Sequence, residues 1–120
     1  MHGLSTSDLI HLQQLCGQVV TQVGVGEYQI YFATHPATNL GICVEGRCEL
    51  MDATNRIVDV WDRGQRSADF RFFDLLGDTI EVVTIDSEKS FTAKFDSGVC
   101  LRVVDDSDQY ESFSVGGLCV

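Results

Sequence analysis

The sequence predicts an α+β domain made of two pseudo-repeats, each a short helix followed by antiparallel strands, packed as one unit over residues 1–120. Three observations carry this reading. First, SDLIHLQQLCGQVVTQVGV (7–25) lies over SADFRFFDLLGDTIEVVTI (67–85) without a gap, matching Ser7 with Ser67, Leu15 with Leu75, Gly17 with Gly77 and Val23 with Val83. Second, YQIYF (28–32), LGICV (40–44) and CELM (48–51) are followed in the same order by FTAKF (91–95), VCLRV (99–103) and YESF (110–113). Self-similarity of this kind marks a repeated supersecondary unit, here about 7–63 and 67–115. Third, the apolar period changes from helical to alternating within each copy.

Taken in order, residues 7–16 put Leu9, Leu12, Leu15 and Cys16 on one helical face. Ser5 or Ser7 suits the start, and Gly17 suits a left-handed residue at the end. In the second copy Phe72, Phe73, Leu75 and Leu76 form the apolar side and Gly77 the stop. GVGEYQ (24–29) falls at a hairpin bend rather than in a phosphate loop. Tyr28, Ile30 and Phe32 alternate on one strand face, as do Phe91, Ala93 and Phe95. ATN (53–55) joins CELMD to RIVDVW as a hairpin, and FDSGV (95–99) is a three-residue hairpin loop with Gly98 at positive φ. Gly64 to Ser67 marks the joint between copies, and Trp61, beside Asp59, Asp62 and Arg63, caps the core there.

Composition bounds the function. The chain has 120 residues, 44% of them hydrophobic, and a formal net charge of −10. That is the size of one domain able to bury its own core. The charge repels nucleic-acid phosphate and anionic lipid and steers a basic partner in. Twelve of the 18 acids lie in residues 61–120, with six of the eight bases. There is no apolar run of membrane-span length and no basic, apolar leader, so the expected location is cytoplasmic. Five cysteines, Cys16, Cys43, Cys48, Cys100 and Cys119, form no Cys-x-x-Cys pair. They read as small apolar residues or free thiols in a reducing compartment.

The densest candidate site is VVDDSDQYESFSV (103–115), with Asp105, Asp106, Asp108 and Glu111 close together. A calcium loop needs alternating oxygen ligands, a turn glycine and a closing Glu; the glycine is missing. A general acid/base pair needs burial to raise one pKa, and a hydrophilic turn offers little. Asp105, Asp106 and Asp108 are therefore expected in an exposed turn that docks a partner, with Glu111 turned inward near the sheet rim, where Arg102 or a backbone N–H can reach it; Glu49 is the corresponding inward acid of the first copy. A thiolate nucleophile would need a base; His35 with Cys100 is the pairing on offer, and nothing favours it. No metal, cofactor or catalytic constellation is expected. Tyr28, Tyr31, Phe32, Phe91 and Phe95 could instead line a small-molecule pocket between helices and sheet.

GQVVTQV, CVEGRCELMD, LLG and FDSGVCLRVVDDSDQYESFSV together resemble a small bacterial domain family of unknown function, over residues 15–115. The chain is also similar in class to immunity proteins of bacterial toxin systems and to gene-cassette products. The resemblance implies the fold and carries no catalytic residue. The expected function is a non-enzymatic interaction protein, an immunity protein that binds a basic toxin domain; the alternative is the small-molecule module. Open sheet edges and the tail VGGLCV (115–120) also suggest a homodimer.

Overall fold

The computed structural model describes residues 4–37, 40–105, 113–116 and 118–119. One α-helix, α1 (Thr6–Leu12), runs into a 3-10 turn (Gln13–Leu15). Strands β1 (Val19–Val25), β2 (Ile30–His35), β3 (Ile42–Val44), β4 (Arg47–Met51), β5 (Ile57–Asp62) and β6 (Gln65–Arg66) follow. A second 3-10 turn (Phe72–Leu75) precedes β7 (Ile80–Ser87), β8 (Ser90–Phe95), β9 (Cys100–Val104), β10 (Phe113–Val115) and β11 (Leu118–Cys119). The strands form two antiparallel sheets, ordered β1-β2-β3-β10-β11 and β6-β5-β4-β9-β8-β7. Their inner faces supply one core: Val20, Ile30, Phe32, Ile42, Phe113 and Val115 from the first sheet meet Cys48, Leu50, Trp61, Phe91, Leu101 and Val103 from the second. Phe91 and Phe113 touch edge to face across it, with centroids 5.2 Å apart.

This corrects the α+β expectation. The core is sheet against sheet, with one short helix at its side. The second helix is absent because the chain before Phe72 is held by side-chain bonds instead: the Ser67 hydroxyl and the Arg71 N–H both donate to the Asp59 carboxylate. A single 3-10 turn remains, and an isolated turn does not propagate into a helix by itself. Phe72 and Leu75 are fully buried, whereas Phe73 and Leu76 are 49% and 48% exposed, so only half of the expected apolar side is used. Gly64 to Arg66 is likewise no joint but the turn into β6, which pairs with the end of β5.

The two expected units also do not stand side by side, because the halves exchange strands. β4 leaves the first half to pair with β9, placing Cys48 opposite Val103 and Leu50 opposite Leu101. β10 leaves the second half to pair with β3, placing Phe113 opposite Val44 and Val115 opposite Ile42. Where the two sheets meet, the bonds are reciprocal. The Gly17 N–H donates to the Ile80 carbonyl (2.7 Å) and the Gly77 N–H to the Val20 carbonyl (2.8 Å). The Val20 N–H donates to Asp78 (3.0 Å) and the Ile80 N–H to Gln18 (2.9 Å). Both glycines sit at positive φ, 87° and 81°, which costs a residue without Cβ little. A bulge follows at the same place in each strand, between Val20 and Gln22 and between Ile80 and Val82.

Helix α1 packs beside β7. Its extension donates the Gln13 amide to the Val83 carbonyl (3.0 Å), and the Leu4 N–H reaches the Glu88 carbonyl (2.6 Å). An edge that would otherwise present open backbone groups is thereby covered. The expected hairpins form: β4 to β5 through residues 52–56, and β8 to β9 with Gly98 at φ 93°.

The first of these turns is organised by Asp52, whose carboxylate accepts from the Thr54 hydroxyl (2.6 Å) and from the Thr54 and Arg56 N–H groups. Chiefly through the Thr54 hydroxyl, these bonds lower its pKa from 3.8 to about 2. The ionised form therefore favours the fold; its contribution is present above 3.8 and is lost as the pH falls through about 2. An NMR titration should find Asp52 ionising near 2, and Thr54→Val should move it up toward 3.8. An ordinary carboxylate titration in the wild type would contradict the turn geometry.

Candidate functional site

Five strands of the second sheet end in one row: Ser87 lies opposite Ser90, Ser90 opposite Val104, Val104 opposite Arg47 and Arg47 opposite Asp62. Carboxylates gather around this row. Asp86 and Glu88 are exposed on the β7–β8 hairpin, Glu45 is exposed on the β3–β4 turn, and Asp62 is half-buried at the end of β5. Asp105 leaves β9 here, its N–H donating to the Lys89 carbonyl at 2.6 Å. The basic residues of the same end are Arg47, Arg63 and Lys89. Arg47 is committed to Glu49 (2.9 Å) and Asp62 (3.2 Å), and Arg63 stands 4.0 Å from Asp62.

The expected docking residues divide across this end. Asp105 is buried, 6% exposed, so it is not part of an exposed turn; its backbone is tied to the β7–β8 hairpin. Asp106 and Asp108 lie outside the described residues, as does Glu111. Glu49 corrects the expectation of an inward acid. Cys48 and Leu50 face the core, and Glu49 points to the outer face, sheltered between Arg47 and Arg102 (3.6 Å). Arg102 also approaches Asp86 at 3.8 Å, and Asp86 accepts from the Thr92 hydroxyl at 2.6 Å. A ladder of alternating charge thus crosses the outer face of the second sheet, from Asp62 through Arg47, Glu49 and Arg102 to Asp86. Cross-strand pairs of opposite sign each favour the pairing modestly.

A functional-looking residue that sequence reasoning placed only as a neighbour of Trp61 is Asp59. It is 3% exposed and accepts from the Val60 N–H (2.8 Å), the Ser67 hydroxyl (2.6 Å) and the Arg71 N–H (2.6 Å). The signal was its parity: in IVDVWD it shares a strand face with Trp61, which is fully buried.

The thiols do not make a nucleophile here. Burial pushes the Cys48 pKa well above its ordinary value, and Asp59 adds to the shift. Burial also raises Cys100. Cys100 lies on β9 of the second sheet and His35 ends β2 of the first, so the structure does not bring that pair together. The proposed pocket residues are likewise divided. Phe32, Phe91 and Phe95 are buried in the core, Tyr28 is 71% exposed at the β1–β2 turn, and Tyr31 lies on the outer face against Gly41. With a single short helix, there is no layer of helices for a ligand to sit beneath. Among the described residues no group of His, Cys, Asp or Glu is placed to hold a metal ion, and no helix is long and apolar enough to cross a membrane. Comparison with family models, curated proteins and solved structures finds no match.

Proposed function

We propose that this chain is a non-enzymatic, cytoplasmic interaction protein that docks a basic protein partner on the acidic end of its second sheet, as an immunity protein docks a toxin domain. The observation that carries the reading is the convergence of Glu45, Asp62, Asp86 and Glu88 on one row of strand ends, where β9 ends before the buried Asp105; Asp106 and Asp108 follow in the sequence. The carboxylates of that end outnumber its three bases, Arg47, Arg63 and Lys89, so the excess is negative. Such a patch speeds encounter with a cationic surface and sets orientation. Cys16, Cys43, Cys48 and Cys100 are thiols rather than disulfides, in keeping with a reducing compartment.

The test is a pull-down from the native host at low and high salt, with Asp106→Asn/Asp108→Asn alongside the wild type. The wild type should retain a basic protein at low salt and release it at high salt. The double variant should bind about tenfold more weakly, as loss of rim charge gives, with an unchanged melting temperature. Retention indifferent to salt and to the substitutions would sink the reading, as would recovery of no partner.

A further inference from the structure

The two sheets present outer faces of opposite character. On the second sheet the central row runs Thr84, Thr92, Arg102, Glu49, Val60 across five strands, with the Arg102–Glu49 ion pair at its middle. On the first sheet the corresponding row runs Gly24, Tyr31, Cys43, Ser114, Cys119. It holds no charged residue. Its neighbour, Gln22 opposite Ala33, holds none either. The face is also low. A Cβ on Gly41 would fall 2.7 Å from the Tyr31 hydroxyl, so the tyrosine lies down over that glycine, and a Cβ on Gly24 would meet nothing within 4 Å.

We infer that the outer face of the first sheet is where a second copy of this chain docks, face to face across a two-fold axis. The argument is electrostatic. Copies carrying −10 each repel through any surface that bears that charge. Among the described residues, the neutral rows of the first sheet bring no like charges together. Small residues let two sheets approach to the usual spacing of roughly 10 Å. The acidic rim then fixes the axis. Glu27 and Glu45 are exposed beyond one end of the face, where the β1–β2 and β3–β4 turns lie, and His35 is exposed at the other. An axis in the interface plane and perpendicular to the strands keeps the acidic ends of the two copies apart, each over the uncharged opposite end of its mate. At strand spacings of roughly 4.8 Å the face is about 24 Å across, about 20 Å long at β1 and β2 and about 10 Å or less at β3, β10 and β11. That is below the standard interface size of roughly 800 Å2 per partner, so the dimer is reversible and weak.

Sedimentation equilibrium at rising concentration tests this. The average mass should climb from 13.3 kDa toward twice that value, and added salt should strengthen the dimer by screening the repulsion. Docking of a basic partner weakens with salt, so the two surfaces fail or succeed separately. Gly24→Glu and Ser114→Asp should each weaken the dimer by about tenfold or more while the far-UV spectrum and melting temperature stay those of a folded chain. Should Ser114→Asp fail to fold, Gly24→Glu decides alone, since its Cβ enters open space. Thr84→Glu, the same charge on the other sheet, should change nothing. A mass of 13.3 kDa at every concentration would overturn the inference. So would a dimer that Gly24→Glu leaves intact.

Discussion

Replacing Asp59 with alanine lowers the melting temperature by about 12 °C. The figure comes from the groups left behind: the Ser67 hydroxyl and the Arg71 N–H both lose a buried acceptor. Stranding two such donors of a charge-assisted cluster costs about 3 kcal/mol, and about 4 °C accompanies each kcal/mol in a domain of this size. Asp59→Asn keeps one carbonyl acceptor and should fall between wild type and alanine. Ser67→Ala removes the hydroxyl that donates to Asp59 (2.6 Å) and lies 3.1 Å from the Asp69 carbonyl, and should cost about 1 kcal/mol. Thermal unfolding of the three variants measures the order. If Asp59→Ala melted within about 3 °C of wild type, less than one bond's worth, the carboxylate would not be what holds residues 67–71 in place.

Cutting the chain between Ala68 and Asp69 leaves two pieces that do not fold alone and fold when mixed. Both residues are exposed, so the cut itself removes no packing. Each piece lacks a strand that its own sheet needs: β3 ends without β10, and β9 ends without β4. Pairs in the middle of a sheet contribute more than edge pairs because both faces of the ladder and one face of the core close around them. Neither piece alone should show a cooperative melt or the β-sheet far-UV signature. The equimolar mixture should recover both. A cooperative transition in either isolated piece would mean that the exchanged strands are accessory to its stability.

Local structure was legible where a single residue type decides it. Gly98 allowed the β8–β9 turn to be placed, and Gly17 and Gly77 marked positive-φ stops because few side chains tolerate that region. Alternation identified the inward residues Phe91, Ala93 and Phe95, all buried. Failures came where the outcome depends on a distant partner. SADFRFFDLL carries the same apolar spacing as the first helix, but Asp59 captures Ser67 and Arg71 and the helix is lost. CELM and YESF were matched by order, yet nothing local tells Leu50 to pair with Leu101 or Phe113 with Val44. Strand pairing is set by total burial over both sheets. The acidic stretch was legible as charge. That Asp105 is buried while Asp86 and Glu88 flank it follows from the β8–β9 register, which spacing does not encode.

The crossing of β4 and β10 between the sheets also sets when the molecule can fold during its own synthesis. As the ribosome extends the chain, β1, β2 and β3 emerge early, with β3 exposing the edge that β10 will later occupy. β4 and β5 can form a hairpin, but the partner of β4 is β9. The first sheet does not close until Phe113–Val115 has cleared the exit tunnel. The nascent chain therefore carries open strand edges and apolar faces until β9 and β10 have emerged, dependent on chaperones or on speed in that interval.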